Sequence, residues 1–374
     1  MPPLARRNLV HDRVRLAVTL TGIVFAVVLI VVELGLFVGF TVTTSNVIDN
    51  SGADLWVASE HVPYIEVGVP FSERKLYQVK AVPGVRDAEK FILRWTQWKR
   101  EDGRTESVQI LGFNPDKPLG GPWNLVEGSV ADLKKPNAII IDEIYKKKLG
   151  VEHTGQVFEI NGQRARIVGF TRGIRAFTTS PHVFTTFKNA QDYTRLPADQ
   201  TIYVLVKVAP GADVAQVQRD ILAGVKDVDV FTSVEFSRMT RYYWMFTTGA
   251  GVAVLLAAIL GLIVGFVVVA QTIYATTMDH LREYGTLKAM GAPNRYVYRV
   301  IMEQASISAV IGYALGMLVS IFVVRASQHG GAAILLPGPM AVGMFFLTLV
   351  MCIGAAFVSV NKVMRLDPAM VFKG

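Results

Sequence analysis

Four long apolar runs stand out in the pattern of hydrophobic and polar positions along the chain. The hydrocarbon core of a bilayer, about 30 Å thick, is crossed by about 20 mostly apolar residues in a helix. Each run reaches that length, so the pattern predicts an α-helical membrane protein with one span before and three spans after a long insertion. The runs are Leu16–Phe40, Trp244–Ala270, Ala305–Val324 and Ala341–Val360, and the predicted spans are 16–40, 242–270, 305–324 and 341–360.

The insertion, residues 41–241, has the shorter periodicities that are typical of an α+β domain. Helical spacing at Ser72–Ala81 is followed by a predicted strand near Val85–Trp98. Past residue 200 the alternation of a strand at Thr201–Val208 is followed by the amphipathic spacing of a helix at Val214–Val225. Both ends of the insertion therefore combine strands with a helix.

These two ends indicate how the insertion is organised. The flanks, about 41–115 and 198–241, resemble the halves of one split β-α-β unit. The middle, about 116–197, contains mostly short β-branched runs separated by turn residues. We therefore predict that the middle is a second subdomain inserted into the first.

Lysine and arginine residues orient the predicted spans. Basic residues are concentrated in segments 1–15, 271–304 and 361–374, whereas 325–340 contains only Arg325. Because the cytoplasmic flanks of spans carry the excess of Lys and Arg, both termini and the 271–304 loop are predicted to be cytoplasmic, with the insertion outside. The net charge of +8 is thus a topology signal, and we expect no nucleic-acid partner.

The composition excludes several kinds of chemistry. Of the 374 residues, 51% are hydrophobic and one is a cysteine, Cys352, which excludes an intrachain disulfide framework and multi-cysteine metal sites. The six histidines lack metal-ligand spacing. No G-x-x-x-x-G-K-[ST] P-loop and no G-x-S-x-G nucleophile elbow occurs. We expect no enzyme activity and no catalytic, metal or cofactor site in this chain.

The 271–304 loop contains the most informative stretch, ATTMDHLREYGTLKAMGAPNRYVYR at 275–299. Leu281, Tyr284, Leu287 and Lys288 share one helical face, and Arg282 and Glu283 lie on another. Gly291 suits a left-handed helix end and Pro293 disfavours continuation, so the spacing predicts a short amphipathic helix that ends there. A helix of this kind could also lie on the membrane surface.

At this loop the sequence resembles the FtsX-like permeases of MacB-type (type VII) ABC transporters, and among them the DevC-like permeases. The similar strings are HLREYGTLKAMGA in the loop, VFTSVEFSRMTRYYWMFTTGAG before and into the second span, GADLWVAS after the first span and the terminal RLDPAMVFKG. LARRNLVHDRVRL resembles the family's basic amphipathic helix, at 1–15, which leads into the first span. The likeness covers essentially the whole chain.

The resemblance implies a permease subunit of the bacterial inner membrane that forms a homodimer and binds two copies of a separate ABC ATPase, which holds the ATP and magnesium. It implies that the flanks and middle of the insertion are porter-type and Sabre-type domains. A periplasmic membrane-fusion adaptor and an outer-membrane channel would be further partners. The family acts by mechanotransmission, exporting lipid, glycolipid or peptide without passing it through the bilayer.

The resemblance also places an ATPase-coupling helix in the 276–291 region. We expect Leu281, Tyr284 and Leu287 to be apolar anchors, and Arg282, Glu283 and Lys288 to set the register on the partner. The candidate coupling residues are Asp279, Leu281, Arg282, Glu283, Tyr284, Leu287, Lys288 and Gly291.

Two pairs of glycines have the spacing that allows helices to approach closely. They are Gly261/Gly265 in the second span and Gly312/Gly316 in the third. The spacing is equally compatible with a homodimer seam and with packing against the chain's own helices.

Two alternative functions remain open at this point. The FtsX branch of the family suggests a signalling subunit that activates an envelope hydrolase. A transporter driven by an ion gradient would need paired ionisable residues inside the membrane, but Glu33 is the one acidic residue inside a predicted span and Glu303 lies at an edge.

Overall fold

The computed structural model describes residues 13–327 and 333–364, which form two compact units. The membrane unit contains residues 13–38, 253–327 and 334–364, and the α+β unit contains residues 39–252 and 333. Most of the predicted helix at 1–15 and of the tail at 361–374 lies outside the described residues.

The helices, in chain order, are α1 Arg13–Asp49, α2 Arg74–Lys80, α3 Lys146–Leu149, α4 Phe187–Thr194, α5 Val214–Gly224, α6 Ser233–Tyr242, α7 Ala250–Asp279, α8 Leu281–Ala289, α9 Asn294–Ser327 and α10 Gly338–Met364. The strands are β1 Leu55–Ala58, β2 Phe71–Ser72, β3 Val85–Lys99, β4 Thr105–Phe113, β5 Leu125–Glu127, β6 Ala138–Asp142, β7 Val157–Ile160, β8 Gln163–Thr171, β9 His182–Thr186, β10 Gln200–Thr201, β11 Tyr203–Val208 and β12 Asp229–Thr232. Short 3₁₀ turns and one π-helical turn, Tyr243–Thr247, connect them.

Four helices, α1, α7, α9 and α10, are long and apolar enough to cross a membrane. Their ends differ from the predicted spans. α1 continues past Phe40 to Asp49, because residues 41–49 are polar enough to leave the hydrocarbon yet contain no glycine or proline to end a helix. α7 begins only at Ala250, since Gly249 has a left-handed φ of 75° that interrupts the helix after the π turn.

All four glycines of the two predicted pairs face α1 of the same chain. This is intrachain packing, one of the two arrangements compatible with the sequence, and it brings the backbones of α7 and α9 close to α1. The nearest α1 atoms to a Cβ built on each glycine would be Glu33 Cγ at 2.8 Å for Gly261, Ile30 Cδ1 at 2.7 Å for Gly265, Ile23 Cγ2 at 2.5 Å for Gly312 and Val27 Cβ at 2.8 Å for Gly316.

Leucine at Gly316 should therefore destabilise the membrane unit, because a side chain added there overlaps Val27. Overpacking of this kind costs about 1–3 kcal/mol. We expect G316L to lower the melting temperature of the purified chain in detergent, measured by size-exclusion chromatography after heating. G354L is the matched control, since no atom lies within 4 Å of a Cβ at Gly354 on α10. Equal melting temperatures for the two variants would contradict this packing.

In the α+β unit, β3 is shared between two sheets. Its first half, Val85–Phe91, pairs with β11 and so joins the antiparallel array β12–β1–β11. Its second half, Ile92–Lys99, pairs with β4. The 15 residues of β3 extend about 50 Å at 3.3 Å per residue, which is long enough for both roles. The two sheets therefore share β3, and the subdomain boundary near residue 115 stays a prediction.

The second half of β3 belongs to a closed ring of six strands. The pairs run β3–β4, β4–β9, β9–β6, β6–β8, β8–β7 and back through β7 to β3. Closing the ring pairs these strands on both sides and so removes exposed edges. The buried ring residues Trp98 and Ile160 are opposite each other where β7 completes the closure. The predicted strand-rich middle thus closes into a barrel by pairing with two strands of the first flank, β3 and β4.

Candidate coupling segment and neck

The coupling segment, residues 276–291, is a short helix set between two long ones. α7 ends at Asp279, α8 follows directly after His280, and Gly291 turns the chain with a left-handed φ of 88°. Pro293 then precedes α9. A helix of nine residues held at both ends by long helices can pass a displacement to them without unfolding.

Tyr284 does not lie where the sequence analysis placed it. Its side chain is only 1% exposed and belongs to the core of the membrane unit, and its hydroxyl donates to Gln304 Oε1 at 2.9 Å. Leu287 is half-buried against the same core. The apolar face of α8 therefore packs on its own chain, which leaves Tyr284 little surface for a partner. The side chain of Leu281 lies outside the described part of the chain.

The opposite side of the coupling segment is exposed. Arg282, Glu283 and Thr286 are exposed on α8, and Met290 is 71% exposed immediately before the Gly291 turn. The sequence analysis did not single out Met290, although its i, i+4 and i+8 spacing with Arg282 and Thr286 could be read from the sequence. Asp279, another predicted residue, lies 3.9 Å from Arg15 on α1, and Lys288 is half-buried.

A cavity with both polar and apolar walls lies beside the start of α8. It encloses about 500 Å³, its open mouth included, between α1, α7 and α9. Its walls carry the side chains of Thr19, Thr276, His280, Gln304 and Ser308. Thr276, Thr277 and His280 line this cavity, so the start of the coupling segment borders open space.

An aromatic cluster, here called the neck, lies within the α+β unit and consists of Phe40, Tyr64, Phe177, Tyr243 and Trp244. Phe177, from the β8–β9 loop, contacts Phe40 of α1 at 5.3 Å and Trp244 of the π turn at 4.3 Å between ring centroids. Tyr64 stacks on Tyr243 at 3.9 Å. Edge-on and offset aromatic contacts of this kind add to the energy of burial.

Charged and polar groups support the neck. The Arg241 guanidinium donates to Asp49 Oδ2 and to Ser45 Oγ on α1, both at 2.7 Å. The Asn46 amide donates to the backbone carbonyl of Arg175 in the β8–β9 loop. These bonds link the outer end of α1 to the end of α6 and to the inserted subdomain. The last turns of α1 and the segment between α6 and α7 are therefore both held to the α+β unit.

Glu66 lies beside the neck with its carboxyl group near the indole of Trp244. Trp244 Nε1 donates to Glu66 Oε2 at 3.5 Å, and burial raises the pKa of the Glu66 carboxyl from 4.5 to about 7. Its other titratable neighbours are Tyr64 and Tyr203. A carboxyl group with this pKa is protonated in part of the molecules near neutral pH.

We expect the stability of the α+β unit to fall as pH rises from about 4.5 to about 7. In this window the folded state binds the Glu66 proton more tightly than the unfolded state does, so ionisation favours unfolding by on the order of 1–3 kcal/mol. Thermal unfolding of the chain in detergent, followed by tryptophan fluorescence between pH 4 and 9, measures the effect. E66Q should flatten the profile, whereas E60Q, at an exposed position, should keep it. An E66Q profile with the wild-type slope would exclude Glu66 as its source.

Within residues 13–327 and 333–364, the His, Cys, Asp and Glu side chains form no group of three that could hold a metal ion. The buried polar side chains of this part of the chain include Asp142, whose carboxyl accepts from Ile174 N at 2.7 Å and Thr171 Oγ1 at 3.0 Å. Such bonds serve the fold of the inserted subdomain.

Two known domain families match this chain. The profile of the MacB-like periplasmic core domain matches residues 16–223, and that of the FtsX-like permease C-terminal domain matches residues 239–368. The chain belongs to the MacB/FtsX-like family of ABC transporter permeases. This permease is thus a multi-pass inner-membrane subunit with a large periplasmic α+β domain, and a partner ATPase accompanies it.

Three similar proteins show how far the likeness extends along the chain. An uncharacterized ABC transporter permease of Mycobacterium tuberculosis is 25% identical over 382 residues, which cover 99% of this permease and 99% of the relative. The periplasmic region of MacB from Actinobacillus actinomycetemcomitans covers 52% of this chain and 96% of its own, with 10% identity and a TM-score of 0.38. The extracellular domain of the transporter YknZ from Gram-positive bacteria covers 48% and 99%, with 13% identity and a TM-score of 0.36.

Proposed function

We propose that this permease transmits motion from a cytoplasmic ATPase to its periplasmic α+β unit. In this account both termini and the coupling segment are cytoplasmic, as the distribution of Lys and Arg predicts. ATP is bound and hydrolysed by the partner, and the permease supplies the mechanical connection. The observation that carries the proposal is the neck. It joins the end of α1 and the segment before α7 to one folded unit.

The cytoplasmic half of the connection depends on the exposed side of the coupling segment. Met290 offers an apolar side chain that a pocket on the ATPase can bury, and Arg282 and Glu283 flank it with opposite charges. A buried apolar anchor with a charged rim is a common arrangement at protein interfaces. The cavity beside Thr276, Thr277 and His280 leaves room at the start of the segment for a shift once the ATPase is bound.

The periplasmic half depends on the rigidity of the neck. A displacement of α1 reaches the β8–β9 loop through the contact of Phe40 with Phe177. The same ring touches Trp244, in the segment leading to α7. Both segments therefore deliver their motion to the same loop of the inserted subdomain.

We further propose a homodimer that exports lipid, glycolipid or peptide with a periplasmic adaptor and an outer-membrane channel. The support is the resemblance of the coupling loop and the segment entering the second span to MacB-type permeases. Activation of an envelope hydrolase uses the same mechanical steps with a different partner.

Reconstitution tests the proposed function. The purified permease should show no ATP hydrolysis alone, and adding a cognate ABC ATPase should give a complex with nucleotide-dependent activity. ATPase activity of the permease by itself, or failure of the two proteins to form a complex, would refute the proposal. Affinity capture with the full-length permease then separates the two roles, since an adaptor supports export and a peptidoglycan hydrolase supports signalling.

A further inference from the structure

A basic groove lies on the outer face of the six-stranded ring. It is lined by Lys135, Pro136, Asn137, Val157, Arg164 and Arg166, and encloses about 780 Å³ with its open mouth. Lys135, Pro136 and Asn137 form one wall, in the segment before β6, and the two arginines project from β8. This groove has no role in the coupling mechanism described above.

The two arginines are presented by a rigid strand. Arg164 and Arg166 are two residues apart on β8, so their side chains leave the same face about 7 Å apart. β8 is paired with β6 on one side, at Ala138↔Arg166, and with β7 on the other, at Val157↔Arg166. Because both edges of β8 are occupied here, a peptide cannot add to it as a further strand, and recognition must use side chains.

No acidic side chain among the described residues pairs with the two arginines of the groove. Among the described residues, neither the Arg164 nor the Arg166 guanidinium forms an ion pair or side-chain hydrogen bond, and both residues are exposed. Two carboxylates on adjacent segments are engaged elsewhere: Glu159, opposite Arg164 on β7, pairs with Lys99 at 3.3 Å, and Asp132 pairs with Lys135 at 2.7 Å. Two positive charges therefore remain for a ligand.

We propose that the basic groove binds a phosphate group of a ligand outside the membrane. A phosphate monoester carries a charge of about −1.5 to −2, which matches two arginines, whereas a single carboxylate matches one. Guanidinium groups also bind phosphate oxygens in pairs of parallel hydrogen bonds. Asn137, which is exposed at the groove, adds an amide donor, and the 43% exposed Val157 provides an apolar contact for the remainder of the ligand.

The phosphate could be carried by a lipid headgroup or by a soluble ester, and the experiment distinguishes these sources. The full-length permease in phosphatidylcholine nanodiscs is titrated with inorganic pyrophosphate by calorimetry. Separately, its binding to vesicles of phosphatidylcholine with and without phosphatidic acid is measured by flotation. Preference for phosphatidic acid vesicles assigns the groove to a lipid headgroup, and pyrophosphate binding without that preference assigns it to a soluble ester.

R164Q/R166Q should weaken binding of the preferred probe by at least about tenfold, which corresponds to the loss of charged hydrogen bonds. R164K/R166K should recover part of the affinity, since charge is kept and the paired geometry is lost. The matched control is R104Q/R219Q, which removes the same charge from exposed arginines elsewhere in the α+β unit and should stay within about twofold. Circular dichroism checks that each variant is folded.

Three results would overturn the proposal. The first is no measurable binding of either probe by the wild-type permease. The second is an equal loss in R164Q/R166Q and in the R104Q/R219Q control, which would indicate attraction to net charge alone. The third is tighter binding of polyaspartate than of pyrophosphate, which would assign the groove to an acidic protein segment.

Discussion

Replacing Met290 with aspartate should separate the permease from its ATPase while leaving the membrane unit folded. Met290 is 71% exposed, so the substitution removes no packing within the chain. At a docked interface it would place a carboxylate where an apolar side chain is buried, and such anchors contribute about 2 kcal/mol or more. We expect the affinity for the ATPase to fall at least about tenfold, measured by pull-down and by the ATP hydrolysis of the reconstituted complex.

Two further variants make this prediction specific. M290L keeps an apolar side chain of similar volume and should bind the ATPase nearly as the wild type does. Y284A should act differently, because it removes a buried ring and its hydrogen bond to Gln304; it should lower thermal stability before it affects docking. The prediction would be contradicted if M290D bound the ATPase with wild-type affinity and a folded Y284A variant did not bind. That result would indicate that the ATPase docks on the face of α8 that contains Tyr284.

Replacing Phe177 with alanine should uncouple ATP hydrolysis from periplasmic motion. The substitution removes the ring that joins Phe40 to Trp244, at a local cost of about 1–3 kcal/mol for a half-buried aromatic side chain. The segment leading to α7 would then lose its contact with the β8–β9 loop, and α1 would keep the Asn46 hydrogen bond to that loop but not the ring contact. We expect the F177A complex to hydrolyse ATP at close to the wild-type rate while motion of the α+β unit is clearly reduced.

The matched control for F177A is F246A. Phe246 lies in the same π-helical turn as Trp244, but its ring is 57% exposed and contacts Tyr242, which is outside the neck. F246A should keep both hydrolysis and motion. Loss of hydrolysis and motion together in F177A would instead indicate that the ring is needed for assembly of the complex, and unchanged motion would remove the neck from the mechanism.

The spans could be predicted from sequence because an apolar run long enough to cross a bilayer is rare outside membrane helices. Their ends could not, since the hydrocarbon boundary and the helix boundary depend on different residues. α1 stays helical through polar residues to Asp49, whereas the left-handed Gly249 interrupts the chain inside the predicted second span. Local backbone conformational preference therefore determines where α1 ends and where α7 begins.

For the coupling segment, the periodicity predicted a short helix with one apolar face and an end near Gly291. It could not identify what that face contacts. Tyr284 and Leu287 pack against the chain's own bundle, and the exposed Met290 lies just past the last turn of the helix. Amphipathic spacing indicates that a face is buried, but the choice between partner and own chain depends on tertiary structure.

The neck and the closed ring were not predicted because they depend on contacts between residues far apart in the chain. Phe177 meets Phe40 across more than a hundred residues, and nothing in the pattern near either residue indicates the other. The ring closes only because the short β7 pairs with the end of β3 at Trp98↔Ile160. Arg164 and Arg166 likewise form a groove only once β8 lies beside the segment before β6.

Pulsed electron paramagnetic resonance of spin-labelled permease tests the mechanical connection most directly. The label is placed at E101C, an exposed position in the β3–β4 turn, in a C352A background that removes the native thiol. Reconstituted with an ATPase that binds but does not hydrolyse ATP, the proposed homodimer should shift its label-to-label distances when ATP is added, and F177A should suppress the shift. Identical distance distributions with and without ATP, in a complex shown to bind the nucleotide, would contradict the account.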